Sequence, residues 1–197
     1  HGTVTISREL RRQLPSLHIT AGGRKAAWFR RMLLDAVPTL DSVIVGDPEE
    51  LVTRLADVGA RTGVTTGLGG LIERGGGEDE GTREEWGDLA GLPVPVYDPE
   101  VYPAMAGDDK LRMAIITESR GCPNRCAFCV HPYEEGGRPR TAPAAEIVDT
   151  MGALQRRYGF SAFRFAGSST PDWLMSQVAD VILERGLKVQ YNSFGHF

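Results

Sequence analysis

The chain has 197 residues, 22 Lys and Arg against 26 Asp and Glu, a formal net charge of −4, and 41% hydrophobic residues. That balance is ordinary for a soluble globular protein of one or two domains, and its mild acidity argues against a nucleic-acid partner, which usually meets a basic face. No apolar run approaches the roughly 20 residues that span a bilayer, so no membrane partner is expected. No N-terminal segment has the charged, apolar, small order of a signal peptide, and a start at His1 rather than Met reads as a processed, engineered or truncated beginning.

The first elements alternate helix and strand. Residues 4–14 place Ile6, Leu10 and Leu14 at every fourth position, with Arg8, Arg11 and Arg12 largely elsewhere, and predict a helix ended by Pro15. Leu17 to Thr20 reads as a short strand running into Gly22 and Gly23. From Ala26 to Val37 the pairs Trp28/Phe29, Met32/Leu33 and Ala36/Val37 return at helical spacing, and Pro38 stops that helix. Ser42 to Val45 is a buried-type strand ending at Gly46. Pro48 opens a helix through Leu51, Leu55 and Val58 to Gly59. Strands alternating with helices predict parallel βα units.

The pattern changes after residue 60. Thr65 to Arg74 reads as a hairpin around Gly-rich turns, followed by a loop at 75–81 with Glu78, Asp79 and Glu80, either merely flexible or a lid. Residues 92–105 (LPVPVYDPEVYPAM) hold too many prolines for a helix or a central strand and read as an extended linker with aromatic anchors. The expected organisation is a Rossmann-like domain over 1–60, hairpin and linker over 61–109, and a second βα domain over 110–197.

That second series starts near Leu111 with a strand at Met113 to Thr117. Pro143 opens a helix with Ile147, Met151, Leu154 and Tyr158 along one face, ended by Gly159. A strand at Ala162 to Ala166 leads into Gly167, Ser168, Ser169 and Thr170. Pro171 starts a helix with Leu174, Val178, Val181 and Ile182 inward, Gly186 ends it, and Leu187 to Asn192 is a third strand. Three parallel strands cannot close a βα barrel, so the second domain reads as cut short.

The three cysteines, Cys122, Cys126 and Cys129, all fall in the segment ESRGCPNRCAFCVHP, directly after a strand. An odd number so closely spaced is a poor disulfide framework and fits a metal site in a reducing cytoplasm. Thiolates suit zinc or iron–sulfur clusters. Structural zinc normally takes four protein ligands; no fourth cysteine exists, though His131 is close. A cubane of four irons held by three cysteines leaves one iron open. Three buried structural cysteines are the remaining alternative. Arg120 and Arg125 flank the motif, where they either tune the cluster or are solvated loop charges. His131, Arg138 and Arg140 lie on the loop leaving it.

C-x3-C-x-Φ-C, with Phe128 at the aromatic position, resembles the signature of the radical S-adenosylmethionine (SAM) superfamily. The resemblance implies a 4Fe-4S cluster on Cys122, Cys126 and Cys129 whose open iron binds SAM, and reductive cleavage of SAM to a 5′-deoxyadenosyl radical. It implies that Phe128 lies near the adenine. The family's Gly-Gly-Glu-like motif maps to the stretch Ala166, Gly167, Ser168, Ser169. Its acid is absent, so Ser168 or Ser169 would serve through hydroxyl or backbone groups; a helix N-cap before Pro171 explains the same serines. Asn192 and Ser193 stand where SAM ribose or carboxylate would be met, or are ordinary strand-end residues.

The first half resembles the cobalamin-binding, Rossmann-like domain found upstream of the motif in one radical SAM subfamily. There the strand-end loops meet the cofactor, which implies Gly22, Gly23, Gly46 and Glu49 as contacts. The Asp-x-His-x-x-Gly motif of some cobalamin proteins is missing, so these glycines could equally be turns in a scaffold. The implied fold class is α/β, a partial Rossmann-like cobalamin-binding domain followed by a partial radical SAM barrel. The implied activity is methylation of an unactivated carbon of a small-molecule or peptide substrate, served by an electron donor such as flavodoxin or ferredoxin. Cyclisation or rearrangement without methyl transfer is the second enzymatic reading, and a zinc-stabilised binding module is the non-enzymatic one. Methylthiotransferases match less well, because they carry three further N-terminal cysteines and this chain has none.

Overall fold

The computed structural model describes residues 2–62, 68–76, 87–102, 105, 113–129, 131 and 139–195. Residues 65–67 of the expected hairpin, positions 77–81 of the acidic loop, Leu111 and Arg138 lie outside the described residues. The chain divides into two compact units, His1–Gly87 and Asp88–Phe197. No helix among the described residues is long and apolar enough to cross a membrane.

The first unit runs α1 (Gly2–Gln13), β1 (Thr20–Ala21), α2 (Arg24–Ala36), β2 (Ser42–Ile44), α3 (Pro48–Thr62) and β3 (Leu71–Glu73). Its sheet has the order β1-β2-β3, with β1 parallel and β3 antiparallel to β2. The apolar run of β2 is explained by burial on both faces. Val43 and the following Val45 join Ala26, Ala27 and Leu34 of α2, with Val4 and Leu10 of α1 against them. Ile44 points the other way, to Leu51 and Leu55 of α3.

Three details depart from the sequence reading. Of the row Ile6, Leu10 and Leu14, Leu10 alone packs against the core: Ile6 is 61% and Leu14 51% exposed, and Ser7 of α1 is buried instead. Polar anchors set this rotation. Ser7 Oγ shares a hydrogen bond with Thr39 Oγ1 at 2.7 Å, and Arg11 donates to the carbonyls of Pro15, Leu17 and Thr39 and to Asp41. In α2, which kinks at Arg30 (φ 46°, ψ −123°), Trp28, Phe29 and Met32 are exposed, and Ala26, Ala27 and Leu34 are buried instead. Gly59 does not end α3, which continues to Thr62 at the modest cost of about 1 kcal/mol for an internal glycine.

The second unit runs β4 (Met113–Ile116), β5 (Ser119–Arg120), β6 (Arg140–Thr141), α4 (Ala144–Tyr158), β7 (Ala162–Phe165), α5 (Asp172–Glu184) and β8 (Gln190–Asn192). Strands β4, β7 and β8 form a parallel sheet in that order. Alternate residues Ala114, Ile116, Phe163 and Phe165 meet Ile147, Met151 and Leu154 of α4 and Leu174 and Val178 of α5. The helical spacing read from the sequence is thus the buried face of both helices. Gly159 ends α4 in the left-handed region (φ 74°), where a side chain would be strained.

The proline-rich stretch belongs to this unit. Leu92 and Tyr97 pack against its core beside buried Leu89 and Met105. Prolines keep this segment from pairing as a strand, yet β4 is an edge strand with backbone groups to satisfy. The Tyr97 hydroxyl meets both needs of Ile115, accepting from its N–H at 3.0 Å and donating to its carbonyl at 3.4 Å. Tyr97→Phe is expected to lower stability by about 1 kcal/mol, read as a shifted urea midpoint. An unchanged midpoint would mean the hydroxyl does nothing to hold this edge.

Candidate functional site

Parallel sheets gather the loops that follow their strands at one end, where ligands of open α/β sheets bind. In the second unit the loop after β4 carries the cysteines. Ser119 and Arg120 pair with Thr141 and Arg140, so β5 and β6 form a short ribbon from which the cysteine segment projects. Gly121 (φ 84°) turns the chain immediately before Cys122. Cys122 is buried, and Asn124 Nδ2 donates toward its sulfur at 3.6 Å. Cys126 and Cys129 are partly exposed and joined by a tight turn, with the Cys129 N–H donating to the Cys126 carbonyl at 3.0 Å. That turn presents Phe128, whose ring is 92% exposed. Arg120, His131 and Arg140 are half-buried, and Arg125 is exposed.

Among the described residues, no three His, Cys, Asp or Glu side chains converge on a single metal ion. Iron–sulfur clusters are held by cysteine thiolates. Three thiols on one projecting loop, one of them receiving an N–H, are donors of that kind.

The loop after β7 is tied to the cysteine segment by a residue that the sequence reading passed over. Glu118 follows β4 and is 0% exposed. Its carboxylate accepts from Ser119 Oγ at 2.8 Å, from Thr170 Oγ1 at 2.7 Å and from the Gly167 N–H at 3.0 Å. All three donors are neutral. The Ala166 N–H also donates to the Ile116 carbonyl at 2.9 Å, and the Ala142 N–H to the Glu118 carbonyl at 2.9 Å. A signal was present in the sequence: an acid two residues after the apolar strand MAII, in a position the fold leaves without water.

Gly167 lies within this knot, Ser168 is half-buried, and Ser169 and Thr170 are buried. Neither serine caps α5, whose N-cap is Pro171 with no side-chain hydrogen bond. The third strand end is connected too, since the Thr170 N–H donates to the Phe194 carbonyl at 2.7 Å. Asn192 is exposed on β8 and Ser193 half-buried just beyond it. Phe194 in turn stacks under the Arg164 guanidinium, 4.8 Å from its centroid. Burial raises the Tyr191 phenol above its ordinary value, so it stays protonated at neutral pH.

In the first unit, Gly22 and Gly23 link β1 to α2, and Gly46 and Glu49 stand between β2 and the first turn of α3. The strands are parallel neighbours, so both loops share one sheet end. They touch there: a Cβ on Gly22 would meet Ile44 at 3.5 Å and Pro48 at 3.8 Å. Gly23 (φ 95°) and Gly46 (φ 92°) both adopt left-handed backbone.

No known protein-family profile matches the sequence. The chain is similar to an uncharacterized methyltransferase of Pyrococcus horikoshii, 24% identical over 166 residues that cover 82% of this chain and 35% of the relative. It is also similar in structure to the radical S-adenosylmethionine methyltransferase TsrM of Kitasatospora setae. The form of TsrM with tryptophan substrate and the SAM analogue aza-SAM bound matches with a TM-score of 0.64 at 22% identity, over 91% of this chain and 35% of that one. The form with cobalamin and a 4Fe-4S cluster bound matches with a TM-score of 0.62 at 22% identity, over 91% and 36%. The chain therefore shares the α/β fold of part of TsrM, and spans about a third of the length of these proteins.

The close fit at Gly167 yields a test. A Cβ there would fall 2.0 Å from Ser119 Oγ and 2.3 Å from Glu118 Oε1. Gly167→Ala is expected to cost about 2 kcal/mol or more through overpacking of a hydrogen-bonded knot. At Gly195 an added Cβ meets nothing within 4 Å, and Gly195→Ala is expected to stay within about 0.5 kcal/mol. Equal urea midpoints for the two variants would overturn this assignment.

Proposed function

We propose that this chain carries the cofactor-binding part of a cobalamin-dependent radical SAM methyltransferase. The observation that carries the reading is the C-x3-C-x-Φ-C segment at the carboxyl end of a parallel strand, joined through Glu118 to the loop after the neighbouring strand. The fold likeness to TsrM, with SAM analogue, cobalamin and cluster bound in that enzyme, supports it.

Under this reading Cys122, Cys126 and Cys129 would hold a 4Fe-4S cluster. Such a cluster, when bound, would supply the electron for reductive cleavage of a carbon–sulfur bond of SAM. The residues of the chain bind, orient and shield. Phe128, exposed at the tip of the cysteine turn, would cover the adenine and lose its contact with water. Gly167, Ser168 and Ser169 would meet the amino group, and Asn192 and Ser193 the ribose or carboxylate. Gly22, Gly23, Gly46 and Glu49, at the strand ends of the first unit, would receive the cobalamin. The substrate is a small molecule or peptide methylated at an unactivated carbon. The electrons come from a flavodoxin- or ferredoxin-like donor, and an oxygen-labile cluster suits a reducing cytoplasm.

Anaerobic reconstitution followed by iron, sulfide, zinc and cobalt analysis tests the reading. The expected result is about four irons and four sulfides per chain, lost in Cys126→Ala, with added cobalamin retained at one equivalent. Zinc without iron would sink the radical reading and leave a structural module. Iron without cobalamin would sink the methyltransferase branch and favour cyclisation or rearrangement.

A further inference from the structure

We propose that Glu118 is a positioning residue for SAM, setting the spacing between the cysteine loop and the Gly167–Thr170 loop. The proposal rests on the radical SAM reading of the site and deepens it. The two carboxylate oxygens have separate tasks. Oε1 takes Ser119 from its own segment and Thr170 from the far loop, at 2.8 and 2.7 Å. Oε2 takes the main-chain N–H of Gly167 at 3.0 Å. One buried group thus fixes a side chain and a peptide plane of the neighbouring loop against the strand that leads into the cysteines.

The consequence for a ligand follows from peptide geometry. The Ala166–Gly167 peptide is planar and trans, so an N–H held toward Glu118 turns the Ala166 carbonyl away from it. Ser168 is then the first side chain beyond Gly167 that Glu118 does not hold. A molecule anchored at the cysteine loop and at this loop together senses their spacing. Other side chains serve less well. An apolar residue fills the space but leaves three donors without an acceptor. Glutamine keeps one oxygen for the fixed Gly167 N–H, and its amide nitrogen can donate to a hydroxyl that rotates to accept. Glutamine should therefore rescue most of the function, and alanine none of it.

The experiment uses the full chain, reconstituted anaerobically, as wild type, Glu118→Ala, Glu118→Gln and Thr170→Val. Three quantities are measured: iron per chain, the SAM dissociation constant by equilibrium dialysis, and the change in the electron paramagnetic resonance spectrum of the reduced cluster when SAM is added. The expected result is wild-type iron throughout. SAM binding should weaken at least about tenfold in Glu118→Ala and a few-fold in Thr170→Val, and should largely recover in Glu118→Gln. The SAM-induced spectral change should diminish in the same order, which a general loss of stability would not produce. If Glu118→Ala does not fold, Thr170→Val and Glu118→Gln decide. SAM binding and spectral change equal to wild type in every folded variant overturn the proposal and leave the radical SAM reading intact. A wild-type chain that takes up no cluster, or a cluster but no SAM, overturns the reading and this proposal with it.

Discussion

A carboxylate removed from water must find hydrogen-bond donors, and the choice of donors determines what it joins. Glu118 is fully buried and draws its donors from two different loops. Much of the surrounding structure answers to that demand. Position 167 must be glycine, because the carboxylate and the Ser119 hydroxyl occupy the space of a side chain. Thr170 is held by its hydroxyl to Glu118 and by its N–H to Phe194, and so connects the second strand end to the third. Three loops that a parallel sheet merely brings near one another are thereby bonded into one surface.

The two units reach the same arrangement with different helix coverage. In the first, β2 is covered on both sides, Val43 facing α2 and Ile44 facing α3. In the second, α4 and α5 cover one face, and β7 alternates accordingly, with Phe163 and Phe165 buried and Arg164 on the other side. Both solutions leave glycine-containing loops at the carboxyl ends of parallel strands. Such loops let a large cofactor approach the backbone, and the protein's contribution to cofactor chemistry is mainly placement of that kind.

What the sequence revealed depended on how far apart the determining contacts lie. Helices α4 and α5 were legible because their apolar rows and the terminal Gly159 and Gly186 act within a turn or two. The rotation of α1 was not, because Ser7 and Arg11 take their partners from Thr39 and Asp41 across the fold. In α2 the buried residues are Ala26, Ala27 and Leu34 rather than the larger Trp28, Phe29 and Met32, and β3 pairs with β2, a partner distant in sequence. The cysteine motif was legible because its chemistry is local. Glu118 stood at the head of the same segment without a role, because its meaning lies in Gly167 and Thr170, which approach only when β4 pairs with β7.

The buried acid also bears on a difference between this chain and the motif it resembles. The loop after β7 reads Ala166, Gly167, Ser168, Ser169, with no acid to meet a SAM ammonium group. Glu118 lies beneath that loop, but it is no substitute ligand. It has no exposed surface, and three donors already occupy its oxygens. Under the proposed function, the ammonium must instead be met by neutral acceptors, main-chain carbonyls or the Ser168 hydroxyl. Neutral acceptors bind a cation through dipoles, which weaken quickly when misdirected, so their aim matters more than a carboxylate's would. A loop that lacks a charged ligand has the greater need of a rigid support, and Glu118 provides it from below.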